Sequence, residues 1–305
     1  MKIVLRDKKA VFVFLFPSLV LFTFIVIIPL FMSAYYSLTQ WSGIGERVFV
    51  GLDNYIRLFA DELFRNASRN TLIIAIASVF IQLPISVLLA LVLAKLVKKP
   101  QFFLTVYFIP VILSAVVIGQ LWMRIYNQQY GLLNLFLKAI GLVEAGSTVW
   151  LGSVNTVFTA VLAVILWQYV GYHMLLFYSG IRSISSEIFD AADIDGASFW
   201  QTSFLITIPM IKPIILISMT FAVVGSMKVY DLVRVLTTDG GPGRASDVIS
   251  TLLVRTMIFP GKSYGYGSAM AMVLIAMCFI LYFLLAFLFK DRDDPTKIKR
   301  RRYLE

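Results

Sequence analysis

Charged residues are scarce in this sequence. Asp, Glu, Lys and Arg together make up 14% of the 305 residues, whereas hydrophobic residues make up 59%. A soluble globular protein carries about 25% charged and about 45–50% apolar residues. Because so few side chains can bind water, lipid must face much of the surface, and this composition excludes a soluble enzyme.

Cysteine and histidine are almost absent, since the chain has one of each. Cys278 lies in an apolar run, so the chain has no pair for an intrachain disulfide and no cysteine cluster for a metal. We expect Cys278 to be an inert side chain that faces the membrane. We also expect this chain to bind no metal and no cofactor of its own.

The net charge of +10 raises the question of a nucleic-acid partner. The basic residues, however, stand just outside the apolar runs, which is the positive-inside pattern of short cytoplasmic flanks. They are Lys2, Arg6, Lys8 and Lys9; Lys95, Lys98 and Lys99; and Lys290, Arg292, Lys297, Lys299 and Arg300 to Arg302. We therefore expect membrane lipids as partners, with the tail Lys297–Arg302 at anionic headgroups, and no nucleic acid.

Six apolar segments are long enough to cross a membrane, which takes about 20 residues of helix. They cover residues 10–32, 70–94, 102–123, 154–177, 207–229 and 267–289. The first is longer than the apolar region of a signal peptide, so we expect it to be kept. The predicted fold class is all-α, a polytopic membrane bundle of six transmembrane helices that forms one domain over residues 1–305.

The basic N-terminal flank predicts a cytoplasmic N-terminus. Six crossings then return the C-terminus to the cytoplasm, and the outer loops are residues 33–69, 124–153 and 230–266. Both termini are predicted to be cytoplasmic.

No Asp or Glu lies in any of the six segments. Carriers driven by protons or sodium generally need ionisable groups or broken helices at the membrane midplane. His173 in the fourth segment and Lys212 near the start of the fifth are ionisable, but neither replaces a carboxylate proton carrier. The pattern disfavours a secondary carrier, and it disfavours an intramembrane hydrolase because no catalytic Ser, His and Asp set is evident.

Two glycine-containing motifs resemble nucleotide-binding loops only in part. Gly261-Lys262-Ser263 matches the end of a phosphate-binding loop, but Thr256 stands where the first glycine is required. The run from Asp239 to Gly243 lacks the strand–turn–helix context of a phosphate cradle and is interpreted as a tight outer turn. Any ATP must therefore be hydrolysed by another chain.

The cytoplasmic segment of about residues 178–206 differs from the rest of the chain because it is acidic. Its carboxylates are Glu187, Asp190, Asp193 and Asp195, and no Lys or Arg occurs between residues 183 and 211. Helices that lie on a membrane surface are usually basic on their polar face. The acidic character therefore favours docking to a protein partner over contact with lipid.

This segment is predicted to form a rigid helix–turn–helix. Ser185 or Ser186 can cap a first helix, and Gly196 can end it in a left-handed conformation. Phe199 then begins a second short helix that continues into the fifth span through Ile208-Pro209. The spacing places four residues on one face of the first helix, where small alanines would let a partner approach closely. They are Ile188, Ala191, Ala192 and Asp195.

The stretch 181–213 resembles the EAA loop of binding-protein-dependent ABC import permeases, and it is most similar to their carbohydrate-uptake group. In that family the pattern is approximately Glu-Ala-Ala, two residues, Asp-Gly-Ala and later Leu-Pro. The matching residues here are Asp190-Ala191-Ala192, Asp195-Gly196-Ala197 and Ile208-Pro209. Asp190 replaces Glu, Ile208 replaces Leu, and Ser185 stands where the family often has proline.

Shorter resemblances cover nearly the whole chain and are closer to the longer of the two paired sugar permeases. They lie at Pro29-Leu30, Gly51–Tyr55, Tyr230–Leu232, Gly240–Gly243 and Tyr266–Ala269. The resemblance implies a permease of a bacterial or archaeal inner membrane. It implies four kinds of partner: a second homologous permease, two ATPase subunits that bind ATP and magnesium, an extracytoplasmic solute-binding protein, and a sugar. It also implies an ATPase-docking set of Glu187, Asp190, Ala191, Ala192, Asp195, Gly196 and Ala197.

Sugar sites pair aromatic faces with hydrogen-bonding groups, and the spans contain both. The candidates for the substrate path are Gln120, Trp122, Trp167, Tyr169, Tyr172, His173, Ser226 and Tyr230. Trp167 and Tyr172 are five positions apart, so only part of this set can share one helical face. The lack of buried charge favours a neutral solute. The alternatives are an ABC permease for a glycerol phosphate ester or a polyamine, and a secondary carrier outside the ABC class.

A tag placed after Glu305 is expected to resist protease added outside intact cells, because the basic flanks hold both termini in the cytoplasm. A cleavage site inserted near Gly241, in a predicted outer loop, is expected to be cut under the same conditions. Immunoblots of intact and permeabilised cells measure both. Cleavage of the C-terminal tag in intact cells would contradict the six-span topology.

Overall fold

Helices dominate the structure, a computed structural model that describes residues 8–142, 148–238, 240–258 and 263–288. Within these residues the strands are β1 (Thr39–Gln40) and β2 (Val48–Phe49), which pair antiparallel in a short hairpin. The basic flanks at Lys2, Arg6 and residues 290–302 lie outside the described residues, as do Asp239, Gly261 and Lys262 of the two glycine-containing motifs.

The helices are labelled in chain order. They are α1 Lys8–Phe22, α2 Ile28–Ser37, α3 Asp53–Ala60, α4 Glu62–Ala77, α5 Leu83–Lys95, α6 Pro100–Ile112, α7 Ala115–Ile125, α8 Leu132–Ala139, α9 Val157–Arg182, α10 Ser186–Ile194, α11 Phe199–Gln201, α12 Ile208–Met210, α13 Lys212–Met227, α14 Asp231–Thr237, α15 Ile249–Ile258 and α16 Tyr264–Leu288. Three π-helical turns join consecutive helices without a break, at Thr23–Ile27, Ser78–Gln82 and Thr202–Thr207.

The helical segments confirm the all-α membrane class. Four of them in the described residues are long and apolar enough to cross a membrane, namely Phe12–Ser37, Glu62–Lys95, Val157–Arg182 and Tyr264–Leu288. Two further pairs qualify as spans only if each pair is counted as one broken crossing. These six segments coincide with the six predicted ones.

The third predicted span, residues 102–123, is wrong as a single helix. Helices α6 and α7 meet at an angle of 100°. Pro110 in the last turn of α6 has no N–H to donate, which weakens the helix there. Leu113 and Ser114 are then extended, and the Ser114 hydroxyl accepts a hydrogen bond from the N–H of Val117 as the N-cap of α7. Both halves are apolar, so hydropathy alone does not reveal the break.

The fifth span bends in a similar way. The helical segment Phe199–Met210 meets α13 at 71°, with Ile211 at the bend. Each side of the bend begins with a proline in its first turn, Pro209 in α12 and Pro213 in α13. The predicted second short helix, which continues into the fifth span through Ile208-Pro209, is confirmed. The straight helix after the bend begins at Lys212.

The chain divides into two compact units. One contains residues 1–65 and 252–276, and there the Asn54 amide donates hydrogen bonds of 2.9 Å to the carbonyls of Ser37 and Thr39. The other contains residues 66–251 and 277–305, and its core is built from α5, α9 and α13. The single domain over residues 1–305 stays a prediction.

A close contact between α6 and α9 fixes the backbone around the middle of α9. A Cβ at Gly171 would overlap the carbonyl oxygen of Tyr107 on α6. The glycine therefore lets the two backbones touch.

Gly171→Ala is expected to lower the melting temperature of the purified chain, because the methyl group meets backbone that cannot move aside. Overpacking of this kind costs about 1–3 kcal/mol. Gly225→Ala on α13 is the matched control, since nothing lies within 4 Å of a Cβ there. Tryptophan fluorescence during heating in detergent measures both variants, and equal melting temperatures would contradict the close contact.

Candidate functional site

Helix α10 and the turn after it form the knob, defined as residues 185–201. Ser185 occupies the N-cap position of α10 with an extended backbone, but its side chain makes no capping hydrogen bond. The cap with side-chain bonds lies at α11 instead. There the Gln201 side chain accepts from the N–H of Ser198 at 2.8 Å, and the Ser198 hydroxyl accepts from the N–H of Gln201 at 3.4 Å.

Gly196 ends α10 as predicted. Its φ is +72°, which is the left-handed region that glycine adopts without strain. The N–H of Ala197 donates to the carbonyl of Ala192 at 2.9 Å, and the N–H of Gly196 donates to that of Asp193 at 3.2 Å. These two bonds form a Schellman motif, which satisfies the last carbonyls and makes the turn rigid.

The predicted four-residue face of α10 is only partly exposed, because Ala191 and Ala192 point in different directions, and its role in docking stays a prediction. Ala192 is 5% exposed, whereas Ala191 and Asp195 are exposed and Ile188 is half-buried. The inward face holds Phe189, which packs against the core of the spans. The four residues cover about 100° around the helix, with Ala191 and Ala192 at opposite edges, so one edge can face the protein while the other is exposed.

The exposed surface of the knob contains one residue that the sequence reasoning missed. Ile194 is 87% exposed between the carboxylates of Asp193 and Asp195. Glu187 and Asp190 are exposed on the same helix. The sequence signal that could have identified Ile194 is an isoleucine between two aspartates. These residues form an apolar centre with an acidic rim.

A second candidate site, called the membrane cavity, has a volume of about 340 Å³ and lies between the π-helical turn Ser78–Gln82, α6, α9 and α13. It brings together half of the predicted path residues: Tyr169, Tyr172, His173 and Ser226. Tyr172 is half-buried, and its ring lies 6.4 Å from that of Phe221, which also lines the cavity. The cavity therefore combines aromatic faces with polar groups.

Two buried polar side chains of this cavity have atoms without hydrogen-bond partners. Gln82 is 2% exposed and His173 is 3% exposed, and neither the amide nitrogen of Gln82 nor Nδ1 of His173 has a partner. Leaving such a group unpaired costs about 1–3 kcal/mol. Because both residues line the cavity, a polar ligand or water there could satisfy them.

Gln82 was missed in the sequence, although it is a lone amide in an apolar segment. It ends the π-helical turn Ser78–Gln82, and such turns often occur at functional sites. Ser78 from the same turn accepts a hydrogen bond of 3.3 Å from Ser226 on α13. The turn thus directs two polar side chains of the second span toward the fifth.

Lys228 was also missed, although it falls within the predicted fifth span. It lines the same cavity, and none of the lining residues is Asp or Glu. Lys228 is exposed, so it adds a positive charge to the lining without being a buried charge, and the preference for a neutral solute stays a prediction.

The other four predicted path residues lie outside the lining of this cavity. Trp122 and Trp167 meet edge to face at 5.3 Å, and Trp122 also contacts the ring of Tyr126 at 5.1 Å. Burial raises the pKa of Tyr126 to about 12, and its hydroxyl donates to the Ala160 carbonyl at 3.0 Å.

Trp167 and Tyr172 lie on different sides of α9, because five residues along a helix correspond to a rotation of about 140°. The remaining two are exposed Gln120 and half-buried Tyr230.

Comparison with known proteins then decides the family. Residues 57–293 match the family described as binding-protein-dependent transport system inner membrane component. The chain belongs to this family. It is therefore a multi-pass, non-catalytic membrane component of such a transport system, as predicted.

Relatives of this family member include several permeases. The probable ABC transporter permease protein YurN of Bacillus subtilis is 39% identical over 90% of this chain and 94% of its own length. The multiple sugar-binding transport system permease protein MsmF of Streptococcus mutans is 33% identical over 86% of this chain and 88% of its own. The diacetylchitobiose uptake system permease protein NgcF of Streptomyces coelicolor is 30% identical over 88% of this chain and 78% of its own.

A solved structure supports the fold of this permease-family chain. A chain of a bacterial alginate ABC transporter, crystallised with an alginate pentasaccharide-bound periplasmic protein, superimposes with a TM-score of 0.79. The match covers 95% of this chain and 96% of that chain at 22% identity. The two chains share a fold.

Ala192→Asp is expected to unfold the knob, because it buries an unpaired charge. Ala191→Asp is the matched variant on the exposed face, and it is expected to leave the knob folded. Limited proteolysis of the purified protein, read at residues 185–201, measures the difference. Equal protection of the two variants would contradict the inward orientation of Ala192.

Proposed function

We propose that this chain is half of the translocation path of an ATP-driven importer for a sugar or oligosaccharide. In this proposal a second homologous permease forms the other half, two ATPase subunits bind ATP and magnesium, and an extracytoplasmic binding protein delivers the solute. Both termini face the cytoplasm, because the basic flanks follow the positive-inside pattern. The family assignment and the sugar-uptake names of the relatives support this arrangement.

The observation that supports a sugar as the solute is that Gln82 and His173, which both have an atom without a hydrogen-bond partner, line the same membrane cavity. Sugar hydroxyls both donate and accept hydrogen bonds, so they can satisfy an amide nitrogen and an imidazole nitrogen together. The ring of Tyr172 offers an apolar face against which a sugar ring can pack. A volume of about 340 Å³ accommodates a small solute within this chain's share of the path.

The charge of the lining separates the alternative solutes. A polyamine needs carboxylates, and the lining residues of this cavity include none. Lys228 favours a solute with an acidic group, so a glycerol phosphate ester or an acidic sugar is the second candidate. A proton-driven carrier gains no support, because the lining offers no carboxylate to carry a proton.

The knob is proposed to dock on the ATPase. Its exposed surface has an apolar centre at Ile194 and an acidic rim that includes Glu187 and Asp190. The Schellman motif at Gly196 and the inward packing of Phe189 hold this surface in one conformation. A rigid surface suits coupling, because a partner can drive a conformational change only through contacts that differ between two states.

Tyr172→Ala is expected to reduce ATP-dependent uptake at least about tenfold, because it removes the aromatic face and leaves the polar groups less well oriented. Trp167→Ala is the matched control, since Trp167 lies outside the lining of the cavity. Uptake is measured in proteoliposomes that contain the purified complex, with labelled maltose, xylose and glycerol 3-phosphate as probes and with a proton uncoupler present.

Equal uptake by the two variants would remove the cavity from the path. Uptake that stops with the uncoupler while ATP is present would contradict the importer itself. Uptake of glycerol 3-phosphate without uptake of maltose or xylose would favour the second candidate solute over a sugar.

A further inference from the structure

The knob and the ends of the spans are separated by a second cavity. It has a volume of about 600 Å³ and is lined by the end of α5, the end of α9 and the inner side of the knob. Close packing therefore does not join the two parts over their whole facing surface. Side chains that cross the cavity therefore add to the packing of Phe189 against the core in holding the knob to the spans.

Lys95, the last residue of α5, crosses this gap. Its ammonium nitrogen lies 4.6 Å from the centre of the Phe189 ring on α10, in the geometry of a cation–π contact. The Asp193 carboxylate, one helical turn after Phe189, attracts the same ammonium group. Lys95 is half-buried, so this attraction is less screened than that of a fully exposed pair.

The helix that ends at Lys95 also lines the membrane cavity. Residues 62–95 form one continuous helical segment that includes the turn Ser78–Gln82. Thirteen residues separate Gln82 from Lys95, which corresponds to about 20 Å along a helix. One rigid segment thus carries a buried polar group of the membrane cavity at one point and a contact with the knob at its end.

We infer that Lys95 is a positioning residue that ties the knob to the second span. Displacement of the knob by its partner then moves α5 and changes the access of the membrane cavity. This inference rests on the proposed function for its consequence in transport, whereas the tie itself is a property of the chain.

The first measurement concerns the tie alone. Lys95→Ala in the purified complex is expected to raise the deuterium uptake of residues 186–194, because α10 loses a contact that holds it to α5. Lys95→Arg keeps a cation for Phe189 and Asp193, and it is expected to restore the parental exchange. Lys98→Ala is the control, since Lys98 is an exposed lysine of the same cytoplasmic flank.

The second measurement concerns coupling and needs no identified solute. A reporter thiol, Gly225→Cys in a Cys278→Ser background, places a cysteine in the lining of the membrane cavity. The rate at which a methanethiosulfonate reagent modifies it is compared with and without ATP and vanadate. Lys95→Ala is expected to reduce the ATP-dependent change in this rate about fivefold, with retention of the ATPase unchanged.

Each outcome decides between the parts of the inference. Unchanged deuterium uptake in Lys95→Ala, or an equal rise in Lys98→Ala, would overturn the tie. Increased deuterium uptake together with an unaltered ATP response of the reporter thiol would overturn the role of Lys95 in coupling. If the parental complex itself shows no ATP response, the proposed function fails, and the exchange data still decide whether Lys95 holds the knob.

Discussion

The packing of α5 against α9 is the interaction on which the rest of the larger unit depends. Ala90 on α5 and Phe177 on α9 are fully buried in the core that they share. The Ser86 hydroxyl lies within hydrogen-bond distance of the carbonyls of Gln82 and Val170, at 2.8 Å and 3.0 Å, and so it links the two helices at the level of the cavity. Because the pair of α5 and α9 supports both the membrane cavity and the knob, the two sites are held by the same part of the core.

The candidate solute site lies where the helices depart from regular α-helical geometry and packing. The π-helical turn Ser78–Gln82 directs polar groups inward, and Gln82 and His173 keep atoms unpaired in a place where an unpaired group is costly. The breaks at Ser114 and Ile211 interrupt two of the spans. Discontinuous helices at membrane depth are tolerated where they are buried in protein or line a cavity. Of these irregular parts, the π-helical turn Ser78–Gln82 lines the membrane cavity, whereas Ser114 and Ile211 lie outside its lining.

Much of the fold and of the knob could be predicted from local sequence. Apolar length located the six segments, and Gly196 fixed the end of α10, because few residues other than glycine adopt a φ of +72° without strain. Which side of a helix faces the protein was harder to predict from the sequence. Ala191 and Ala192 are neighbours, yet one is exposed and the other buried, since only the packing of Phe189 decides which side faces the protein.

The sequence by itself determined the class of the protein, because hydropathy, charge placement and turn glycines act over a few residues and need no partner. Tertiary structure alone decided which polar side chains share a cavity. It placed Gln82 beside His173 and Tyr172, which come from helices far apart in the chain, and it directed Trp122 and Trp167 into an aromatic contact elsewhere. Such sets form through helix–helix packing. Their members are separated by tens of residues, and no local pattern records which of them meet.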